Sequence, residues 1–144
     1  MPNVDAPDLQ DQESLTGTGN KESISKTYTV PTGTTVAIAD VIRPLVITPD
    51  FRMEDLQLVV VGANASATIS VGYASEDGTD VDAEYFIPAG QSIATSSRLR
   101  ATAVKAPKAI RDQKAYLTIT VAGATVAAGT VFDVTLDGKL IGSR

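Results

Sequence analysis

Residues 56–73 combine two patterns that are typical of β-strands. The first, Leu56-Gln-Leu-Val-Val-Val61, is a nearly continuous apolar run, which is typical of a central strand buried on both faces. The residues Gly62-Ala-Asn-Ala65 then indicate a turn. In Ser66–Tyr73 apolar and polar residues alternate, as in a strand with one buried face. Together the two runs predict an antiparallel hairpin.

The rest of the chain repeats these strand signals. Val, Ile and Thr supply 15, 10 and 17 of the 144 residues, and their β-branched side chains favour pleated strands. Alternating runs return at 26–30 and 115–121, with glycine or proline between the runs. Pro49–Asp55 indicates a short helical turn, and Asp137-Gly138 a tight hairpin turn. We predict an all-β protein in which residues 26–144 form a single antiparallel β-sandwich, jelly-roll-like, with about eight strands.

Residues 1–25 have no strand or helix periodicity. They are acidic and carry the linker-like stretch Thr16-Gly-Thr-Gly-Asn20. We interpret them as an extended N-terminal arm that is either a flexible terminus or a segment that becomes ordered on a partner. In the second case its apolar side chains Val4, Leu9 and Leu15 would bind the partner.

The composition excludes much enzyme chemistry. The chain has no Cys, His or Trp, which removes thiolate catalysis, histidine bases, disulfides and most transition-metal sites. We therefore predict a protein that is not an enzyme and has no cofactor and no catalytic residues. A net charge of −5 argues against nucleic acid as a partner. No apolar run is long enough for a membrane helix, and the acidic start is unlike a signal peptide, so we expect synthesis in a cytoplasm and no membrane partner.

The segment from Glu76 to Glu84 holds five acids in nine positions and no base. Asp80, Asp82 and Glu84 alternate, so an extended backbone would place them on one side, where their oxygens could bind calcium. Their spacing does not match an EF-hand loop. The alternative is a solvated acidic loop between strands, and a glycosidase carboxylate pair is disfavoured by the scarcity of aromatic residues.

The segment 98–114 has the opposite charge. It holds six cations and one acid. The candidates for partner binding are Arg98, Arg100, Lys105, Lys108 and Arg111. The alternatives are a solvated edge strand, an acidic protein partner, or nucleic acid, for which stacking aromatics are missing. Since the acidic and basic segments are separate in sequence, they could also pair between copies of the chain in a closed ring.

Two stretches resemble a known family. One is the strand, acidic loop and aromatic restart from Ala67 to Phe86, and the other is the Ala/Gly/Thr-rich hairpin from Ala115 to Leu136. With the N-terminal arm they resemble small β-rich structural proteins of tailed bacteriophages, in particular capsid decoration (cement, head-stabilising) proteins. No residue of a family site can be transferred, because the likeness rests on no sharp motif.

The resemblance implies a non-enzymatic virion protein on the capsid surface. It further implies a homotrimer that binds the major capsid protein and stabilises contacts between its subunits. Two other interpretations remain open at this point. The chain could be a phage tail or head-fibre component, or it could be a carbohydrate- or calcium-binding β-sandwich module.

Overall fold

The computed structural model of the chain describes residues 3–5 and 21–141. Every regular element within these ranges is a β-strand. The strands are β1 (Asn3–Asp5), β2 (Lys21–Thr29), β3 (Val41–Arg43), β4 (Val46–Ile47), β5 (Phe51–Val61), β6 (Thr68–Ser75), β7 (Val81–Ser92), β8 (Ser97–Arg100), β9 (Lys108–Ala109), β10 (Ala115–Ala122) and β11 (Val131–Leu140).

The strands form two sheets around one core. Sheet I has the order β1-β3-β10-β6-β7, and β4 continues the β3 position by pairing with β10. Sheet II has the order β2-β11-β5-β8, and β9 continues the β8 position by pairing with β5. If β3 and β4 are counted as one position, and β8 and β9 as another, consecutive positions from β2 onward alternate between sheet II and sheet I. The exception is the step from β6 to β7, because both strands belong to sheet I. This is the connectivity of a jelly roll, so the predicted all-β sandwich is confirmed.

The strands outnumber the predicted set for a local reason. Pro44 lacks an N–H and separates β3 from β4, and residues 101–107 leave the edge of sheet II between β8 and β9. The pair β1–β3 is parallel, whereas the other pairings are antiparallel.

The core lies between the inner faces of the two sheets. β5 shows how the faces are assigned: Leu56, Leu58 and Val60 are fully buried, whereas Val61 is 50% exposed. β5 is central in sheet II, as predicted, but its outer face meets solvent. The prediction that this strand is buried on both faces is therefore wrong, because none of the described strands covers the outer face of sheet II at Val61.

The predicted hairpin of 56–61 with 66–73 is also wrong. β5 pairs with β11, β8 and β9 in sheet II, while β6 pairs with β10 and β7 in sheet I. The turn at 62–67 instead carries the chain across the sandwich. The hairpin that does form between neighbouring strands is β6–β7, and the acidic loop connects its two strands.

Two further local predictions fail because strands continue through the predicted turns. Phe51 and Met53 are buried while Arg52 is exposed, so residues 51–55 have the period of a strand and not of a helical turn. Asp137-Gly138 lies within β11 as a bulge. A Cβ on Gly138 would lie 2.0 Å from the Arg52 carbonyl oxygen, so glycine permits a close approach of two strands there.

The first long strand begins at Lys21 and not at Lys26. Its outward residues Ser23, Ser25 and Thr27 lie opposite β11 and hydrogen-bond with Asp137, Thr135 and Asp133. These polar outward residues hide the strand in the sequence, because only Ile24 and Tyr28 are buried.

Candidate interaction surfaces

The acidic segment and the basic segment meet within one molecule. Lys108 Nζ lies 2.8 Å from Asp80 Oδ2, and Lys105 Nζ lies 2.9 Å from Asp82 Oδ2. Lys114 Nζ lies 3.2 Å from Glu76 Oε2. Glu76 and Asp80 lie in the loop of the β6–β7 hairpin and Asp82 lies at the start of β7, whereas the lysines lie in β9 or close to it in sequence. The fold and not a second copy therefore brings them together. The hypothesis that the two segments pair between copies in a closed ring assumed that they are apart within one molecule, and this assumption does not hold.

Tyr73 is at the centre of this charged cluster. Its hydroxyl donates a hydrogen bond to Asp80 Oδ1 at 2.8 Å, and Lys108 Nζ lies 5.4 Å from its ring centroid. The Tyr85 ring packs edge-on against Tyr73 at 5.2 Å between centroids, and Phe86 packs edge-on against Tyr85 at 4.9 Å. The aromatic rings thus support the ion pair from the core side, which fixes the acidic loop against residues 101–109.

The pKa shifts follow from these contacts. The hydrogen bond with Lys108 lowers the pKa of Asp80, and the same bond raises the pKa of Lys108. Likewise, the hydrogen bond with Lys105 lowers the pKa of Asp82. Burial raises the pKa of Tyr73. The Asp80 and Asp82 carboxylates and the Lys108 ammonium are therefore charged at neutral pH.

Asp77 organises the turn of the acidic loop. Its Oδ1 accepts hydrogen bonds from the Thr79 N–H at 3.0 Å, the Thr79 hydroxyl at 2.7 Å and the Ser75 hydroxyl at 3.0 Å. These donors favour the charged carboxylate and lower the pKa of Asp77 to about 2. The loop is thus an internally bonded turn.

The calcium candidates have other partners in this structure. Asp80 and Asp82 pair with lysines, and Glu84 Oε1 accepts a hydrogen bond from the Ala89 N–H at 2.7 Å. Within residues 3–5 and 21–141 no cluster of three metal-ligating side chains is present. The alternation of the acids in sequence does not reveal that lysines on another strand approach them.

Acidification should destabilise this loop. Asp77, Asp80 and Asp82 have folded pKa values below the ordinary 3.8, so the folded state binds fewer protons than the unfolded state at these groups. Their stabilisation is present above pH 4 and is lost as pH falls through the folded values, near 2 for Asp77. We expect the melting temperature to fall between about pH 4 and pH 2, by a modest amount because these carboxylates are at least partly exposed to solvent.

Circular dichroism melts can check this pH dependence. Asp77→Asn should have a lower melting temperature than the parent at pH 7. Its melting temperature should also fall less on acidification, because the contribution of the Asp77 carboxylate is already absent. Asp133→Asn, on the outer face of sheet II, matches the change in net charge. Equal pH profiles for the parent and Asp77→Asn would contradict the role of the loop.

The remaining candidate cations differ in how they are engaged. Arg111 Nε lies 3.1 Å from Asp50 Oδ1, and Arg100 pairs with Asp55 on the outer face of sheet II. Arg98 is exposed on that face and forms no ion pair with any residue in the described ranges. Arg98 is thus the candidate cation that a partner could engage without first breaking an ion pair.

Of the three N-terminal candidates, only Val4 lies within the described residues. Val4 lies in β1 opposite Ile42 of β3 and packs against the core. Asp5 accepts two hydrogen bonds from Arg43, at 2.5 and 2.6 Å, and Arg43 lies 4.1 Å above the Tyr116 ring. Val4 therefore has a partner within its own chain. Leu9 and Leu15 lie outside the described residues.

A shallow groove lies on the outer face of sheet I. Its volume is about 310 Å³, and its lining includes Arg43, Glu76, Tyr116 and Thr118. The buried Thr118 hydroxyl has no hydrogen-bond partner among residues 3–5 and 21–141. The sequence predicts a strand here but not the groove, whose lining includes Asn3 of β1 as well as Glu76 and Gly78 of the acidic loop. The described residues contain no helix that could span a membrane.

Solved structures with a similar fold come from bacteriophage capsids. No family model and no curated protein sequence matches the chain. A chain in the capsid of Ralstonia phage GP4 superposes with a TM-score of 0.72 and 16% identity, over 99% of both chains. A chain in the cyanophage Pam1 capsid gives 0.60 and 16%, covering 89% of this chain and 90% of that one.

A third match comes from the acid-stable capsid of Helicobacter pylori bacteriophage KHP30. Its TM-score is 0.57 at 14% identity, and it covers 88% of this chain and 92% of the other. At such identities the likeness establishes the fold. This jelly roll is one that occurs, at nearly full length, in bacteriophage capsids.

Proposed function

We propose that this chain is a non-enzymatic virion structural protein that binds the outer surface of a bacteriophage capsid and stabilises contacts between major capsid protein subunits. The match to a chain of the GP4 capsid, over 99% of both chains, is the observation that carries the proposal. The match extends over nearly the full length of both chains. The remaining support is physical.

The charge distribution supports an outer position. The net charge is −5, and five of the six cations in segment 98–114, namely Arg100, Lys105, Lys108, Arg111 and Lys114, pair with acids of the same chain. Such a surface offers little to a nucleic-acid backbone, and an acidic protein inside a filled capsid would meet packaged DNA of the same charge. An outer position avoids this repulsion.

The number of copies gives the binding its strength. We propose a homotrimer, in which each copy contacts different capsid subunits. Because the three contacts are linked, a weak contact per copy adds to a strong attachment per trimer, and the trimer holds its subunits together.

Co-sedimentation tests this function. Shells assembled from the major capsid protein of the phage that encodes this chain are mixed with the purified chain, and an unrelated acidic protein of similar mass is the control. We expect saturable co-sedimentation and a higher temperature of shell disassembly. A chain that stays in the supernatant, or binds without raising that temperature, would contradict the proposal.

Light scattering tests the trimer. We expect about three times 15.0 kDa for the full chain. A variant lacking residues 1–20 keeps β2 intact, since β2 begins at Lys21. A trimer in both would place the intersubunit contact on the sandwich, and a trimer lost on truncation would place it on the arm. A monomer that also stays monomeric on the shell would contradict the trimer.

A further inference from the structure

One end of the sandwich carries almost no charge. Four connections meet there, at 30–40, 62–67, 93–96 and 123–130, and Asp40 is the only Asp, Glu, Lys or Arg among them. Charged residues make up 20% of the whole chain, so their near absence from the four connections is a property of this end. We call this surface the uncharged end. The sequence shows these segments only as separate turns, and the fold joins them.

Hydrogen bonds connect the four segments to one another. The Val36 and Val126 backbones bond in both directions at 3.0 and 2.9 Å. The Asn64 N–H donates to the Ala94 carbonyl at 3.2 Å, and its side-chain Oδ1 accepts from the Ala127 N–H at 2.8 Å. Asn64 is 97% buried, with 3% exposed. It therefore holds three of the connections together from beneath.

The exposed side chains of the uncharged end are small. Alanine, glycine and threonine predominate, and they lose little or no side-chain entropy when a partner covers them. Ile38 is the large exception and is 54% exposed. A bonded, uncharged surface with one protruding aliphatic side chain has the composition of an interface core, from which charges are depleted.

The opposite end of the sandwich has the reverse character. The connections there hold the ion pairs of Lys105, Lys108, Arg111 and Lys114. Two charges lie at the boundary of the uncharged end. Asp40 Oδ2 accepts a hydrogen bond from the Ala37 N–H at 3.1 Å, and Arg98, which forms no ion pair within the described residues, follows Ser97. The molecule is thus polarised along its length, with many charges at one end and almost none at the other.

We infer that the uncharged end is the surface by which this chain binds the capsid shell, and that it contacts an uncharged, largely apolar patch of the shell protein. This inference rests on the proposed function. A charged patch on the partner would lose its hydration here without gaining an ion pair. Arg98 lies at the rim, where an acidic residue of the shell could pair with it in the presence of water.

A second copy of the chain is a less favourable partner for the uncharged end. Copies in a closed trimer meet along their sides, whereas contact through one end would join two molecules end to end. Standing on the shell by the uncharged end also points the charged end toward water, where its ion pairs stay hydrated. The polarity of the sandwich therefore favours the shell.

A pair of matched variants tests this inference. Ile38→Glu places a carboxylate on the uncharged end, and Val104→Glu makes the same change at an aliphatic residue that is 100% exposed in the charged half. Ala128→Glu and Ala106→Glu form a second pair at exposed alanines. Because all four sites are exposed, each variant should melt near the parent temperature.

We expect Ile38→Glu and Ala128→Glu to bind the shells of the co-sedimentation experiment roughly tenfold more weakly or worse, since a buried carboxylate there has no partner. Val104→Glu and Ala106→Glu should bind as the parent does. Equal binding by all four would overturn this inference alone. No binding by the parent would instead overturn the proposed function. Loss of the trimer in Ile38→Glu, seen by light scattering, would assign the uncharged end to contacts between copies and overturn the shell assignment.

Discussion

Gly72→Ala should lower the free energy of unfolding by about 3 kcal/mol or more. A Cβ at this position would lie 1.9 Å from the Asp82 carbonyl oxygen and 2.5 Å from the Ala83 carbonyl carbon. Both atoms belong to the backbone of β7, so no side chain can rotate away. β7 would have to move from β6, and the move would also disturb Tyr73 and its bond to Asp80. Urea unfolding followed by circular dichroism measures the loss.

A second glycine substitution controls for backbone strain. Gly90 also lies in β7 and has a φ of 93° with nothing within 4 Å of its Cβ position. Gly90→Ala therefore introduces strain without a collision and should cost about 1–2 kcal/mol. Gly72→Ala unfolding at the same urea concentration as the parent would show that β6 and β7 are farther apart than described here.

Phe132→Ala should cost about 3–5 kcal/mol. Phe132 is completely buried in β11, opposite Tyr28 of β2 and Val60 of β5. Its removal opens a cavity in the centre of sheet II, which the neighbouring strands cannot fill while their hydrogen bonds hold. The expected loss is a large part of the 5–15 kcal/mol that stabilises most domains, and we expect the melting temperature to fall by about 10 °C or more.

Val61→Ala is the control for this core substitution. Val61 is 50% exposed on the outer face of sheet II, so the change removes methyl groups without leaving a cavity and should cost less than about 1 kcal/mol. If the two substitutions were equally costly, Phe132 would not be part of the packed centre.

The fold class could be predicted from the sequence because the alternation of apolar and polar residues indicates which face of a strand is buried. This pattern is contained within each strand and does not depend on how the strands pair. In β6 and β10 the alternating and β-branched residues identify strands whose bounds agree closely with those found. β2 begins earlier than predicted because Ser23 and Ser25 face outward and carry no apolar signal. The period of two at Phe51 and Met53 is present in the sequence, but Pro49 and Asp50 imitate a helix start.

Strand pairing could not be predicted in the same way. β5 and β6 are neighbours in sequence with turn residues between them, which also describes a crossing between two sheets. The contacts of the turn distinguish the two cases: the Asn64 side chain, for example, bonds to Ala127, which is far away in sequence. Contacts of this kind depend on the whole topology and leave no local pattern.

The candidate sites show the same limit. The sequence identifies both charged segments, but their mutual pairing through Asp80 with Lys108 and Asp82 with Lys105 follows from β9 joining the edge of sheet II. The uncharged end is predictable only once the four connections are known to meet. The role of the arm, with Leu9 and Leu15, remains a prediction.

The position of β11 has a consequence for biosynthesis. β11 follows all the other described strands in the sequence, yet it lies between β2 and β5 in the middle of sheet II. Until β11 has been synthesised, β2 and β5 lack the strand that joins them, and sheet II cannot be completed over the inner face of sheet I. The jelly roll therefore closes only once β11 is available. Nascent chains on one messenger would meanwhile expose unpaired strand edges to each other, which makes the interval before β11 is available the stage most vulnerable to aggregation.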